Sequence, residues 1–253
     1  MRILVCLKQV PDTTEVKLSA DFTLQRDFIA QIMNPADESA LELALQLRTA
    51  HQGHVTVLSM GPRRAENMLR EALARGVDQA VLLSDPGFAG ADTLVTAQCL
   101  QAAIRYLGGF DLILCGKRAV DGETGQVGPM LGSLMDIPSL VNLIKAEIRE
   151  HTVSAWQLTE DGQTQWEAPL PALLTLCEWS YPLRLPSILG LRRAKNAPVQ
   201  VLTPSDLGIA SCGLKASPTR VIHVDASPAG VRPCQMISPE DGLKKLLEGG
   251  LIR

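Results

Sequence analysis

The stretch "DLILCGKRAVDGETGQVGPM" (residues 111–130) carries a short apolar run, Leu112 to Cys115, that stops at a glycine. An acidic, glycine-dotted segment follows, with Asp121, Gly122, Glu123, Gly125 and Gly128, and a helical pattern covers 124–135. Strand, loop and helix form the repeating unit of an α/β sheet. In open sheets of this kind ligands bind beyond the carboxyl ends of the strands, where strand order reverses. Free amides at the helix start, around Thr124 to Val127, suit a phosphate, and Gly122 and Gly125 let a ligand approach the backbone closely. A plainer reading fits the same spacing: Asp121 caps the helix and the glycines only turn the chain. Phosphate signatures do not separate the two. There is no GxGxxG after the first strand, and the Gly-Lys pair at 116–117 lacks the upstream Gly and following Ser or Thr of a P-loop.

Outward from this stretch, apolar runs alternate with helical patterns. "RILVCLKQV" reads as the first strand, and "NPADESALELALQLRTA" as a helix with Asn34 as N-cap and Pro35 at N1. "HVTVLSM" (54–60) and "QAVLLS" (79–84) read as strands flanking a helix that Gly76 stops. "ADTLVTAQCLQAAIRYLGG" reads as a helix capped by Asp92 and stopped by Gly108-Gly109. Alternation of this kind predicts an α/β protein with a parallel sheet and helices on both faces. After residue 138 the pattern becomes extended, with Asp161-Gly162 as a hairpin turn between Trp156 and Trp166. Prolines 198, 204, 218, 228 and 233 then mark an extended C-terminal arm that ends in a short helix, "SPEDGLKKLLEGG". An arm without its own core is expected to lie on another surface. The expected division is an α/β domain over 1–200 and an arm over 201–253.

The 253 residues are 46% hydrophobic and 20% charged, which suffices for a packed core. A net charge of -3 disfavours nucleic acid as a partner, because phosphate backbones need a basic face. The six cysteines show no CxxC spacing, so they read as thiols in a reducing compartment, with neither a disulfide frame nor a metal site. No apolar run reaches spanning length and "MRILVCLKQV" is too short for a signal peptide, so a cytoplasmic protein without membrane insertion is expected. Histidines 51, 54, 151 and 223 suggest no Ser-His-Asp set, and no catalytic residue is assigned.

Six blocks carry a resemblance: "CLKQVPDT" (6–13), "MNPADESALELAL" (33–45), "SMGPRRAENMLREALARGVDQAVLL" (59–83), "GADTLVTA" (90–97), "LILCGKRAVDGETGQVGP" (112–129) and "DGQTQWEAPLPALLTL" (161–176). In this order they resemble the β (small) subunit of electron transfer flavoproteins over nearly the whole chain. The resemblance implies a flavodoxin-like α/β fold akin to adenine-nucleotide hydrolases, with a C-terminal arm around the larger α subunit. It also implies an AMP site or, in electron-bifurcating members, an FAD site. Carried over by position, the cofactor pocket comprises Cys6, Leu7, Lys8, Asn34, Met60, Gly61, Asp121, Gly122, Thr124, Gly125, Gln126 and Val127. Bland roles remain open for several: Asn34 as N-cap, Cys6 in the core, Met60 in packing.

AMP-type members carry Asn-Gln-Thr where this chain has Gly125-Gln126-Val127, and "DGETGQVGP" is closer to the bifurcating form "DGDTAQVGP". FAD is therefore expected, with AMP as the alternative, and NADH as an electron donor whose electrons would leave in two directions. The family's recognition loop aligns with "YPLRLPSILGLRRA" (181–194), which puts Leu185, Ile188 and Leu189 at the partner surface for an acyl-CoA dehydrogenase-like or other flavoenzyme. The plainer reading of this segment is a Pro-entered helix with a solvated basic end. Gln157 stands where the family signature has a basic residue. Two other classes compete. A stand-alone nucleotide-binding module would be a stable monomer, and a PP-loop adenylating enzyme would need an SGGxDS loop that "LKQVPDTT" lacks.

Overall fold

The computed structural model describes residues 1–12, 30–222 and 238–248. Thr13, His223, Pro228 and Pro233, named above, and Cys234, one of the six cysteines, lie outside the described residues. Two compact units are present, Met1–Arg220 and Val221–Arg253.

The first unit is built on a nine-stranded sheet. In chain order the strands are β1 (Arg2–Cys6), β2 (Gln9–Pro11), β3 (Gln31–Met33), β4 (His54–Met60), β5 (Gln79–Leu83), β6 (Leu112–Gly116), β7 (Ser139–Arg149), β8 (Thr152–Thr159), β9 (Gly162–Pro169), β10 (Ala172–Leu176) and β11 (Val199–Leu202). Across the sheet they run β11-β5-β4-β1-β6-β10-β7-β8-β9, while β2 and β3 pair antiparallel apart from it. Pairing is parallel from β11 through β7 and antiparallel across β7-β8-β9. The helices are α1 (Pro35–His51), α2 (Glu66–Ala74), α3 (Thr93–Tyr106), α4 (Val127–Met135), α5 (Ile188–Asn196) and α6 (Gly213–Ala216), with α7 (Pro239–Glu248) in the second unit.

Side-chain alternation along the central strands explains the two-faced core. Ile3, Val5, Val55, Val57, Leu112 and Leu114 pack on one face against α1 and α2, with Leu41, Leu45 and Leu69. Leu4, Leu58, Ile113 and Leu173 point to the other face, against Val95, Leu100 and Ile104 of α3 and Leu131 of α4. Register keeps the layers aligned: Leu4 sits beside Ile113, which sits beside Leu173. The α/β fold expected from the sequence, with helices on both faces, is the fold observed.

Three local expectations change. "RILVCLKQV" breaks into β1 and β2, because the Lys8 amide leaves the ladder for the carboxylate of Asp37. The hairpin turn shifts by one residue: Thr159 pairs with Gly162, so Glu160-Asp161 form the loop and Gly162, at φ 130, opens β9. Residues 201–220 belong to the first unit, where β11 pairs with β5 and Thr219 donates to the Asp92 carboxylate that caps α3. The terminal helix expected from the sequence forms as α7.

Candidate functional site

Strand order reverses between β1 and β6. The chain runs from β1 through α1 to β4 and β5 on one side, then crosses to β6 on the other. The carboxyl ends of β1 and β6 therefore open a crevice of the kind in which α/β sheets hold ligands. The segment after Cys6 forms one lip and the loop after Gly116 forms the other.

Most of the residues singled out from sequence meet here. Leu7 is buried, and its amide donates to the carbonyl of Leu58 at 2.9 Å. Lys8 accepts the Asn34 amide on its carbonyl (3.0 Å), gives its own amide to Asp37 Oδ2 (2.7 Å) and reaches Asp121 Oδ1 with its ammonium (2.7 Å). Met60 ends the neighbouring strand β4 and Gly61 follows it, its amide donating to the carbonyl of Leu83 at 3.0 Å. Cys6 and Met60 both pack on the core beneath α3 and α4.

Asn34 occupies the N-cap position of α1 but does not cap it. Its backbone carbonyl takes the amides of Asp37 and Glu38 (2.9 and 3.2 Å), and its side chain makes no cap hydrogen bond. Instead the amide group, in a residue only 1% exposed, donates to the carbonyl of Arg118 (2.8 Å) and to Asp37 Oδ1 (3.0 Å). Its oxygen accepts the Val120 amide at 3.2 Å. Asn34 is thus a clamp between α1 and the loop after β6.

That loop is shaped by two residues at positive φ, Glu123 (51°) and Gly125 (61°). The left-handed Gly125 cannot continue a helix backward, so α4 starts at Val127 instead of at residue 124. Gln126 precedes the helix in the right-handed region (φ -96°, ψ -26°), with no side-chain cap. A positive-φ residue followed by a right-handed one turns successive amides toward one concavity. Asp121 lies upstream of the helix start and pairs with Lys8, so the capping role open to it in the sequence is not the one it takes. A Cβ on Gly122 would meet nothing within 4 Å, which leaves space on the loop's outer side. Thr124 is exposed, and the Gln126 carbonyl oxygen of the side chain accepts from the Thr93 hydroxyl at 3.2 Å.

Two residues escaped the sequence reading. Asp37 is buried in the first turn of α1, where an acid ordinarily reads as an exposed partner of the helix dipole. Burial pushes its carboxyl up to about 7, against the lowering pull of hydrogen bonds from Asn34, Lys8 and Gly116. Gly116 is read from sequence as a strand end, but a Cβ there would run into Asp37 Oδ1 and stand 2.8 Å from Ala36 Cβ. Its missing side chain lets α1 close onto β6.

The segment over 181–194 is held firmly while apolar side chains on it point outward. Arg184 forms a bidentate pair with Glu42, Nη2 to Oε1 at 2.8 Å and Nε to Oε2 at 2.9 Å. The Tyr181 hydroxyl accepts the Ala146 amide at 2.8 Å. Ser187 caps α5 by accepting from Gly190, and Gly190 packs so closely on Ala74 that a Cβ would strike its carbonyl. Leu185 and Ile188 are 88% and 76% exposed, and Leu189 is exposed beside them. Gln157 accepts from the Trp166 indole at 3.0 Å.

A second cleft, about 380 Å³, lies at the opposite ends of the strands, lined by Met1, His51, Asp111 and His151 among others. It shares no residue with the crevice. Among the described residues no group of three or more His, Cys, Asp or Glu is placed to hold a metal ion, and no helix is long and apolar enough to cross a membrane.

Fold and crevice together define a doubly wound α/β protein with a ligand-type cleft at its switch point. Comparison with known proteins makes the class specific. The model of the electron transfer flavoprotein domain matches residues 21–207. The chain is 45% identical over 226 residues to the electron transfer flavoprotein subunit beta of Thermoanaerobacterium thermosaccharolyticum, covering 88% of this chain and 86% of that one. It is 40% identical over 233 residues to the caffeyl-CoA reductase-Etf complex subunit CarD of Acetobacterium woodii, covering 90% and 89%. It is 37% identical over 259 residues to protein FixA of Azorhizobium caulinodans, covering 96% and 92%. This chain belongs to the electron transfer flavoprotein family.

Proposed function

We propose that this chain is the small subunit of a heterodimeric electron transfer flavoprotein, and that its crevice binds FAD. The observation that carries the reading is the loop before α4. Gly125 at positive φ and Gln126 in the right-handed region aim amides into one concavity at a helix start that has no side-chain cap. The donors present fit a diphosphate: the first-turn amides of Val127 and Gly128, the Gln126 amide group and the Lys8 ammonium on the facing lip. The residues at 125 and 127 offer no side-chain donor, which favours the roomier diphosphate over the monophosphate of AMP.

When bound, FAD supplies exchange of electrons in pairs or singly. The chain's own residues bind and orient. Lys8 offsets the Asp121 carboxylate, which would otherwise repel phosphate, and Asn34 fixes the loop at Arg118 and Val120. No acid–base group is asked of the protein. The electron source is NADH or a dehydrogenase, and the receiver a partner flavoenzyme, with bifurcation as the fullest form of the activity. Leu185, Ile188 and Leu189 present the apolar knob for an acyl-CoA dehydrogenase-like partner, in keeping with relatives named for CoA-reductase complexes. The C-terminal residues hold the α subunit, and the complex works in the cytoplasm.

The test is the nucleotide content of the denatured, purified heterodimer. Two FAD per dimer is the expected result. One FAD with one AMP overturns the FAD assignment in favour of a simple carrier with an AMP site, and a single nucleotide overturns the crevice as a binding site.

A further inference from the structure

The Asp37 carboxylate is 6% exposed and stands at the switch point itself. Both of its oxygens are taken by donors. Oδ2 accepts the Lys8 amide at 2.7 Å, while Oδ1 accepts the Gly116 amide at 3.1 Å and the Asn34 side-chain amide at 3.0 Å. These donors come from three separate segments, and each leads to the loop over 117–126. Gly116 is the residue before it, Asn34 clamps it at Arg118 and Val120, and Lys8 reaches it at Asp121. The loop therefore hangs on one buried carboxylate by three routes. Every contact is an N–H donating to Asp37, so the arrangement is that of the ionised acid. A proton on either oxygen would face a donor and displace it.

We propose that Asp37 is the positioning residue of the crevice: ionised, it holds the lips after β1 and β6 at the spacing a nucleotide needs, and protonated it releases one of them, so that nucleotide retention is tied to one proton. This rests on the nucleotide-binding reading given above. Burial places the titration of Asp37 at about 7, within the neutral range. The groups facing it are few. Lys8 lies on the segment after β1, and its charge favours the ionised form. Cys115 lies on β6, and its thiol, hydrogen-bonded to Cys6 of β1 and buried, is pushed well above its ordinary range and stays neutral. Asp121 lies beyond Lys8 and is paired with it. A bound phosphate works in the other direction by like-charge repulsion, but it meets the Lys8 ammonium on its side of the crevice. The three hydrogen bonds to the carboxylate act at contact distance and decide the sign.

The experiment uses the full chain co-purified with its α subunit, dialysed over a pH series. FAD and AMP retained per heterodimer are quantified after denaturation, and hydrogen exchange is followed in the peptide spanning 112–126. Affinity at about pH 6 is expected to be about tenfold weaker than at about pH 8, because ionised fraction falls tenfold per unit below the pKa. Exchange in the peptide, corrected for its intrinsic pH dependence, rises over the same interval. Asp37→Asn removes the pH step in both measurements. Retention that is flat with pH, or that strengthens on acidification, overturns the proposal. So does an Asp37→Asn variant that melts earlier yet keeps the wild-type midpoint, since that is a structural role only. If the variant does not assemble, the wild-type profile and its exchange midpoint decide alone. A heterodimer empty of nucleotide at every pH overturns the binding reading and the coupling with it, while the exchange profile still shows whether Asp37 gates the loop.

Discussion

The Lys8 ammonium lies 2.7 Å from Asp121 Oδ1, joining the segment after β1 to the loop after β6 by charge. Both groups are partly exposed, so the pair itself contributes at most about 1 kcal/mol to stability. With a nucleotide in the proposed site, its larger effect would be on ligand charge. Lys8→Ala exposes the Asp121 carboxylate to an incoming phosphate and is expected to weaken nucleotide binding about tenfold. Adding Asp121→Asn should recover most of that loss in the same heterodimer. Losses that simply add would show that the two side chains do not act on the ligand together.

Gly116→Ala tests the closure of α1 on β6. The new methyl would overlap Asp37 Oδ1 and lie 2.8 Å from both Ala36 Cβ and the Asp37 nitrogen. Overpacking of this kind costs about 1–3 kcal/mol, to be read as a fall in the urea midpoint. Gly122→Ala is the control, since its methyl would meet nothing within 4 Å. Equal midpoints for the two variants would contradict the contact.

The sheet was legible because its strands carry continuous apolar runs such as Leu112 to Cys115, each followed by a helix-period pattern. The crevice was legible in outline, since glycines and free amides after β6 follow from strand–loop–helix order. Asp37 and Gly116 were not. In sequence an acid in a first helical turn and a glycine at a strand end each have an ordinary local reading. Their joint role arises only when α1 is laid against β6. Asn34 shows the same limit from the other side: residue type and position said cap, but the loop at 118–120 competes for its side chain and wins. The start of α4 was missed because no sequence pattern reveals that Gly125 uses its freedom at positive φ.

Ile188→Ala separates docking from folding. The side chain is 76% exposed, so its truncation should leave the melting temperature almost unchanged. If it is the apolar knob that enters a partner's pocket, the complex with that flavoenzyme should weaken by about 2 kcal/mol, roughly thirtyfold. Nucleotide content should stay at the wild-type level. Full electron transfer at limiting partner concentration would assign this surface another role.

Arg184 and Glu42 carry the last prediction, a pH dependence of the segment that presents Leu185 and Ile188. Glu42 is only 5% exposed, and burial by itself raises its carboxyl. The Arg184 hydrogen bonds, with help from Gln46, outweigh burial and hold it below the ordinary carboxylate range. A depressed carboxyl contributes stability that is present above its unfolded value of 4.5 and is lost as pH falls through the folded value. Arg184→Ala leaves that buried carboxylate without its cation. At neutral pH it should destabilise the protein by about 2 kcal/mol, less than the roughly 3–5 kcal/mol of a fully buried broken pair because the arginine is partly exposed. The gap between wild type and variant should close only as the pH falls below 4.5 and through the lowered folded value of Glu42, beneath which the carboxyl is protonated in both. Thermal melts across a pH series read this directly, and a gap that stays constant into acid would mean that Arg184 acts by packing and not by charge. Because Arg184 adjoins Leu185, the same variant should also weaken partner docking at neutral pH without touching nucleotide content, the signature of a displaced recognition segment on an intact crevice.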